Sequence, residues 1–270
     1  MKKQLRFDLY KILKSPIMWA IFGASLILLT YVPCSEYFAQ YRLALSDSQY
    51  EIGPMMQTMG SRDVYPYITG CIIFFVAFFV GKDYATGYYK NIGYGINKTY
   101  YVLSKAIYIV AFAVLWFLLY FLMNVIVCSA FGGSINYKPG EFCLSMSLMV
   151  LSVIAFGLVV MALVFATKNR IPALIVPIIF LFAWRFVETA LDDWLAQTFP
   201  KQMAQISSIP FKQCIFERFS IMNYYSFYNG VGNVFWYVSD TVAAYGTLLV
   251  YCSLAIGVGL MFCYLRKRKI

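Results

Sequence analysis

The segment from residue 81 to residue 98 reads GKDYATGYYKNIGYGINK and is both basic and rich in tyrosine. An apolar run over residues 64–80 precedes it, and a second apolar run over residues 106–131 follows it. A loop that meets only water does not require so many large side chains, whereas aromatic anchors with a basic rim are typical of protein interfaces. The pattern therefore predicts two hydrophobic helices joined by a short segment that contacts a partner.

The composition of the whole chain indicates an integral membrane protein. Hydrophobic residues make up 61% of the 270 residues and charged residues only 13%, against about 25% charged residues in soluble domains. The chain contains no histidine, which excludes histidine-based catalytic triads, zinc sites and proton relays. The seven cysteines include no C-x-x-C pair, and a bridge between Cys34 and Cys214 is left open.

Apolar runs of roughly 20 residues are long enough to cross a bilayer as helices. Six runs in this chain qualify, so the predicted fold class is an all-α polytopic membrane protein, with residues 1–270 forming one transmembrane domain. The six transmembrane helices are predicted at Pro16–Val32, Val64–Val80, Ser104–Phe131, Phe142–Thr167, Ile171–Ala190 and Thr241–Tyr264.

Two regions outside these runs also carry a pattern. Residues 191–240 form an external loop rich in aromatic residues, for which we predict short helices that contact either lipid or a substrate. Residues 1–15 mix basic and apolar residues at helical spacing and predict an amphipathic interfacial helix. Its apolar side would hold Leu5, Leu9, Ile12 and Leu13.

The basic residues gather at alternate connections between the runs. Fifteen of the 22 lysines and arginines lie before the first run, between the second and third or at the start of the third, between the fourth and fifth, or after the last. The same side holds only two acidic residues, Asp8 and Asp83. Because basic residues mark the cytoplasmic side of a membrane protein, both termini are predicted to be cytoplasmic.

A few polar or small residues lie within the apolar runs. Asn124 could bond a neighbouring helix or face a substrate. Arg185 and Glu188 are three residues apart on one helix face and are candidates for an ion pair or a gate. Gly257 and Gly259 predict close helix packing in the last run. No group of residues suggests a metal site.

The segment at residues 81–98 and its flanks resemble the permease subunits of ABC-2 type transporters, also called type V exporters. The likeness rests on Asp83-Tyr84, Gly87, Lys90-Asn91, the four residues 95–98, Tyr101 and Lys105. The departures, Tyr88-Tyr89 and Asn97-Lys98, alter side-chain size and hydrogen bonding without reversing a charge. The whole chain is most similar to the small permeases of bacitracin-type, lantibiotic-immunity and phenol-soluble-modulin exporters in Gram-positive bacteria.

The resemblance implies that residues 82–103 are a cytoplasmic coupling segment that docks on a separate ABC ATPase, two copies of which work with two permease chains, here a homodimer. ATP and magnesium would bind that partner, because Gly81-Lys82 lacks the remainder of a phosphate-binding loop. The chain is therefore not an enzyme by itself. The candidate coupling residues are Asp83, Tyr84, Gly87, Tyr88, Tyr89, Lys90, Asn91, Ile92, Tyr94 and Lys98.

The expected function is that of a permease for amphipathic or hydrophobic peptides in a bacterial plasma membrane, in toxin export or antimicrobial-peptide immunity. Another hydrophobic drug or a lipid-like substrate is an alternative, and so is a passive channel or membrane sensor. A membrane-embedded enzyme would need clustered acidic or nucleophilic residues at membrane depth, and the sequence has none. A simpler interpretation of the tyrosines and lysines is that they contact lipid headgroups.

Overall fold

The computed structural model describes residues 1–46, 65–86, 97–132, 139–181, 183, 186 and 238–264. Within these ranges the chain is helical and contains no strand. The helices are α1 (Lys2–Leu13), α2 (Pro16–Ser46), α3 (Tyr65–Ala85), α4 (Lys98–Ala130), α5 (Pro139–Thr167), α6 (Arg170–Leu181) and α7 (Val238–Tyr264). Five of them, α2, α3, α4, α5 and α7, are long and apolar enough to cross a membrane.

The all-helical, multi-pass architecture predicted from the sequence is thus confirmed, whereas the number of six spans stays a prediction. The fifth predicted run begins as α6, which is a shorter apolar helix over its described length. Most of the remainder of that run lies outside the described residues, as does the external loop up to residue 237.

Helices α2 and α4 extend beyond the apolar runs that were predicted as spans. Helix α2 continues through Pro33 to Ser46, although a proline inside a helix removes one backbone hydrogen bond. Leu29, Pro33 and Tyr37 are all buried, so this stretch of the helix packs against the rest of the bundle. Helix α4 begins at Lys98 rather than six residues later, because the Asn97 side chain caps it by accepting a 2.9 Å hydrogen bond from the backbone N–H of Thr99.

Helix α5 lies at the centre of the bundle and packs against α3, α4 and α7, while α2 packs against α3 and α4 on the other side. An aromatic column joins α2, α3 and α4. The Phe75 and Phe112 rings are stacked with centroids 3.8 Å apart, and Trp116 lies between Phe112 and Phe22. Inside a bilayer, such close packing replaces the hydrophobic effect as the force that holds helices together.

The outer surface of the bundle is apolar. Helices α2, α4 and α7 expose large aliphatic side chains, and the most exposed include Ile27, Leu118, Ile126, Val250 and Leu254. A monomeric protein in water rarely shows such a continuous apolar exterior. Lipid is the solvent that matches it, in agreement with the length of the five apolar helices.

Glycines allow close approach at particular points of this packing. A Cβ atom at Gly157 would lie 2.9 Å from Ile109 and from Ile72, and one at Gly259 would lie 3.0 Å from the Phe165 ring. The expectation of close packing is therefore confirmed for Gly259. It was wrong for Gly257, around which a Cβ atom would meet nothing within 4 Å.

This difference predicts unequal effects for the same substitution two residues apart. Gly259→Leu should lower the free energy of unfolding by about 1–3 kcal/mol, because the new side chain forces α7 away from Phe165. Gly257→Leu is the matched control and should stay within about 0.5 kcal/mol of the unaltered protein. Thermal unfolding in detergent measures both, and equal losses in the two variants would contradict the packing at Gly259.

Candidate functional site

Four charged side chains from three separate parts of the chain meet at one end of the bundle. Asp8 of α1, Asp83 near the end of α3 and Lys105 near the start of α4 are each 0% exposed. The Lys105 Nζ atom lies 2.7 Å from Asp8 Oδ1 and 2.8 Å from Asp83 Oδ2. Lys11 of α1 pairs with the other carboxylate oxygen of Asp83. We call these four residues the charge network.

Uncharged groups complete the hydrogen bonding of the two carboxylates. Ser104 Oγ donates to Asp8 Oδ2 at 2.6 Å, and Gln4 Nε2 donates to the same oxygen at 3.2 Å. Tyr101 OH donates to Asp83 Oδ2 at 2.8 Å. Gln4 and Tyr101 are each four residues from a charged member of their own helix and share its face, whereas Ser104 directly precedes Lys105 in the chain. Buried charges persist only when they are paired and bonded in this way.

The aromatic side chains nearby complete the surroundings of Lys105. Its Nζ atom lies 4.0 Å from the centroid of the Phe79 ring and 5.3 Å from that of Tyr101. A cation over an aromatic face is attracted by the negative charge of that face. Lys105 is therefore held by two carboxylates and two rings at once, and water does not reach it.

Helix α1 contributes to this site with its polar face. Gln4 and Asp8 are buried against the bundle, whereas Leu9 and Leu13 are exposed. The helix itself was correctly predicted. The ion pairs of Asp8 and Lys11 form on the bundle side and leave the apolar residues Leu9 and Leu13 facing outward, as expected of a helix at the lipid interface.

The charge network also connects the two ends of the segment that was predicted to couple. Asp83 lies shortly before residues 87–96, and Lys105 lies after them. Each of the two pairs with a residue of α1, and they also pair with each other. Further contacts lie at the same end. A Cβ atom at Gly81 would be 2.6 Å from Arg170 at the start of α6, and the hydroxyls of Thr99 and Tyr264 are 2.9 Å apart. We call this end of the bundle the basic end.

The structure describes three of the ten candidate coupling residues. Asp83 is buried in the charge network and does not face outward. Tyr84 packs edge-on against Phe165 of α5, and the Lys98 Nζ atom lies 5.6 Å from the centroid of the Tyr264 ring of α7. All three therefore contact the bundle itself. The other seven lie outside the described residues: Gly87, Tyr88, Tyr89, Lys90, Asn91, Ile92 and Tyr94.

The remaining sequence predictions concern a buried polar residue, an ion pair and a disulfide bridge. Asn124 is fully buried, and its amide donates to the Tyr120 carbonyl of its own helix at 2.9 Å rather than to a neighbouring helix. Arg185 and Glu188 lie outside the described residues, so their pairing stays a prediction. The same holds for a bridge from Cys34 to Cys214, because Cys214 is not described.

Burial changes the acid–base behaviour of Lys11. Its side chain is 15% exposed, and its amine has a pKa lowered from 10.5 to about 7. Loss of water is the largest cause of this lower pKa, the nearby positive charges of Lys105 and Lys82 contribute to it, and the carboxylate of Asp8 opposes it. A neutral amine is therefore available at Lys11 near neutral pH.

An open cleft of about 540 Å³ lies between α4, α5 and α7, away from the basic end. Its walls are apolar except for the hydroxyls of Ser147 and Tyr245, which contact each other. The apolar lining residues are Phe117, Leu118, Phe121, Met146, Val150, Leu151 and Ile154.

Fold and site together define a multi-pass helical membrane protein whose N-terminal helix is held by buried ion pairs. Comparison with protein-family models and with curated proteins returned no match. The sequence pattern did not identify the charge network as a site. The sequence nevertheless held a signal for the charge network. Asp8 and Asp83 are the two acidic residues among fifteen basic ones on the side that was predicted to be cytoplasmic.

The pKa of Lys11 predicts selective reactivity. At pH 7 about half of the Lys11 amines should be neutral and nucleophilic, against roughly one in 3,000 for a lysine with the ordinary pKa of 10.5. An amine-acylating reagent followed by peptide mass spectrometry should give a rate at Lys11 that inflects near pH 7. Lys14, on the exposed face of the same helix, is the internal control. An inflection near pH 10 at Lys11 would contradict the prediction.

The charge network also predicts a large penalty for removing one member. Lys105→Met leaves two buried carboxylates with one cation and should lower the free energy of unfolding by about 3–5 kcal/mol. Adding Asp83→Asn restores the charge balance and should recover part of the loss. Lys14→Met, at an exposed position, should change stability by about 0.5 kcal/mol or less.

A thiol-reactive dye that reports exposure of the buried Cys71 and Cys128 measures this unfolding on heating in detergent. If Lys105→Met and Lys14→Met were equally stable, the buried pairing of Lys105 would be refuted.

Proposed function

We propose that this chain is the membrane-spanning permease subunit of an ATP-driven exporter of the ABC-2 type. The observation that carries the proposal is the charge network. It ties both flanks of residues 87–96 to each other and to α1 through Asp8, Asp83 and Lys105. A segment that receives force from a partner needs flanks of this kind, because flexible flanks would absorb the movement locally.

The energetics favour movement of these flanks as one unit. Separating a buried ion pair without a replacement partner costs about 3–5 kcal/mol, and the Lys105 ammonium group bridges two carboxylates. Displacement of residues 87–96 would therefore move the end of α3, the start of α4 and α1 together. Helix α4 then extends to Ala130 at the far end of the bundle. Such a continuous helix can carry a movement from one membrane face to the other.

The partner in this proposal is a separate cytoplasmic ATPase, present in two copies and binding ATP and magnesium, with a second permease chain completing the complex. Tyr88, Tyr89, Ile92 and Tyr94 would be the anchors in its cleft, and Lys90 would lie at the rim. The buried position of Asp83 gives it a different role from these residues. It positions the segment rather than contacting the partner.

The cleft between α4, α5 and α7 supports an apolar cargo. Its volume of about 540 Å³ lies within the range of ligand sites, and the hydroxyls of Ser147 and Tyr245 are the polar groups in its lining. Amphipathic or hydrophobic peptides fit such a surface, as would a hydrophobic drug or a lipid-like molecule. In this proposal the basic end faces the cytoplasm of a bacterium, as the distribution of lysine and arginine favours.

The coupling role predicts a specific loss of function. Replacing Tyr88, Tyr89 and Ile92 together with alanine should strongly reduce co-purification with the ATPase and uncouple ATP hydrolysis from transport, because the aromatic anchors are gone. The control replaces Tyr31, Phe38 and Leu45, which are exposed on α2, with alanine and should leave both properties unchanged.

Pull-down from detergent with mass spectrometry, followed by ATPase assays in proteoliposomes, measures the two effects. A triple variant that still binds an ATPase and transports at the original rate would refute the coupling role. Absence of any ATPase in pull-downs of the unaltered chain would instead favour a passive channel or a sensor.

A further inference from the structure

Among the residues that the structure describes, the exposed charged side chains at the basic end are all positive. Both acidic side chains at this end, Asp8 and Asp83, are 0% exposed and are paired with Lys11 and Lys105 inside the bundle. The cations outside the charge network remain accessible. The exposed ones are Lys2, Lys3, Arg6, Lys14, Lys168 and Arg170.

Helix α1 presents four of these cations together with apolar side chains on its outward face. Lys2, Lys3, Arg6 and Lys14 are exposed, and so are its apolar residues Phe7, Leu9, Tyr10 and Leu13. The charge network holds this face outward, because the opposite, polar face of α1 is committed to the bundle. We call this outward side of α1 the α1 outer face.

The position of α1 relative to the spans determines what can reach this face. Pro16 begins α2 three residues after α1 ends, and the Trp19 indole of α2 donates a 2.9 Å hydrogen bond back to the Leu13 carbonyl. Trp19 is itself 56% exposed. Tryptophan beside the start of a span is typical of the boundary between hydrocarbon and headgroups. Helix α1 therefore lies at the headgroup level.

We propose that the α1 outer face is a binding site for anionic phospholipid headgroups. The lysine and arginine side chains supply the charge that a phosphodiester and an anionic headgroup require, and the apolar side chains fit between the first carbons of the acyl chains. The proposal does not depend on the coupling role, because it involves neither residues 87–96 nor an ATPase.

Charge complementarity distinguishes this site from ordinary contact with lipid. A zwitterionic headgroup offers no net charge to four cations, whereas an anionic one gains from each of them. The burial of Asp8 matters here as well. If its carboxylate were on the α1 outer face, it would repel the same headgroup and weaken the site.

Native mass spectrometry of the full chain in detergent tests the proposal with an equimolar mixture of phosphatidylglycerol and phosphatidylcholine. The unaltered chain should bind phosphatidylglycerol about tenfold more strongly. Replacing Lys2, Lys3, Arg6 and Lys14 with glutamine should reduce this preference to about twofold or less. The charge-conserving control exchanges the same four residues, lysine for arginine and arginine for lysine, and should keep the preference. Arg42→Gln, an exposed cation at the other end of α2, should keep it too.

A second measurement on the unaltered chain covers a failure of the four-residue variant to fold. Raising ammonium acetate from about 0.1 M to about 1 M shortens the screening length to about 3 Å and should remove most of the preference. A preference that survives in the glutamine variant would overturn the proposal. If that variant also lost a co-purifying protein, the α1 outer face would be a protein-binding surface instead.

Discussion

The pairing of the Lys105 ammonium group with two carboxylates is the interaction on which the arrangement of the basic end depends. One carboxylate comes from α1 and the other from the end of α3, and they are separated by most of two spans in the chain. Each of these charges would be costly to bury alone, because the interior offers little solvation. With Lys11 they form a group of two cations and two carboxylates, which requires all three elements to be in place.

This requirement explains the orientation of α1. An amphipathic helix at a membrane surface normally buries its apolar side in the lipid and leaves its charges in water. Here some of the charges are turned into the protein, and the remaining cations share the outward face with Leu9, Tyr10 and Leu13. The same ion pairs that attach α1 to α3 and α4 thereby decide which side of it meets the bilayer.

Several properties of the candidate site were accessible to sequence reasoning. The stretch around Asp83 was recognised as a junction between two apolar helices, and α1 was recognised as a helix. The role of Asp83 was not recognised, because a carboxylate in a basic loop resembles a solvated residue until its partners are known. Asp8 and Lys105 are 97 positions apart in the chain, and no local pattern relates two residues at that distance.

What the sequence alone determined is the class of the protein, an all-helical membrane protein, and the clustering of its basic residues along the chain. Long apolar runs and clusters of lysine and arginine are local properties, and a bilayer acts on each of them nearly independently. Only the tertiary structure decided where the helices end, which glycine of the last span lies against a neighbour, and which cations are consumed in ion pairs. These depend on contacts between distant segments, whose free energy exists only once the helices have packed together.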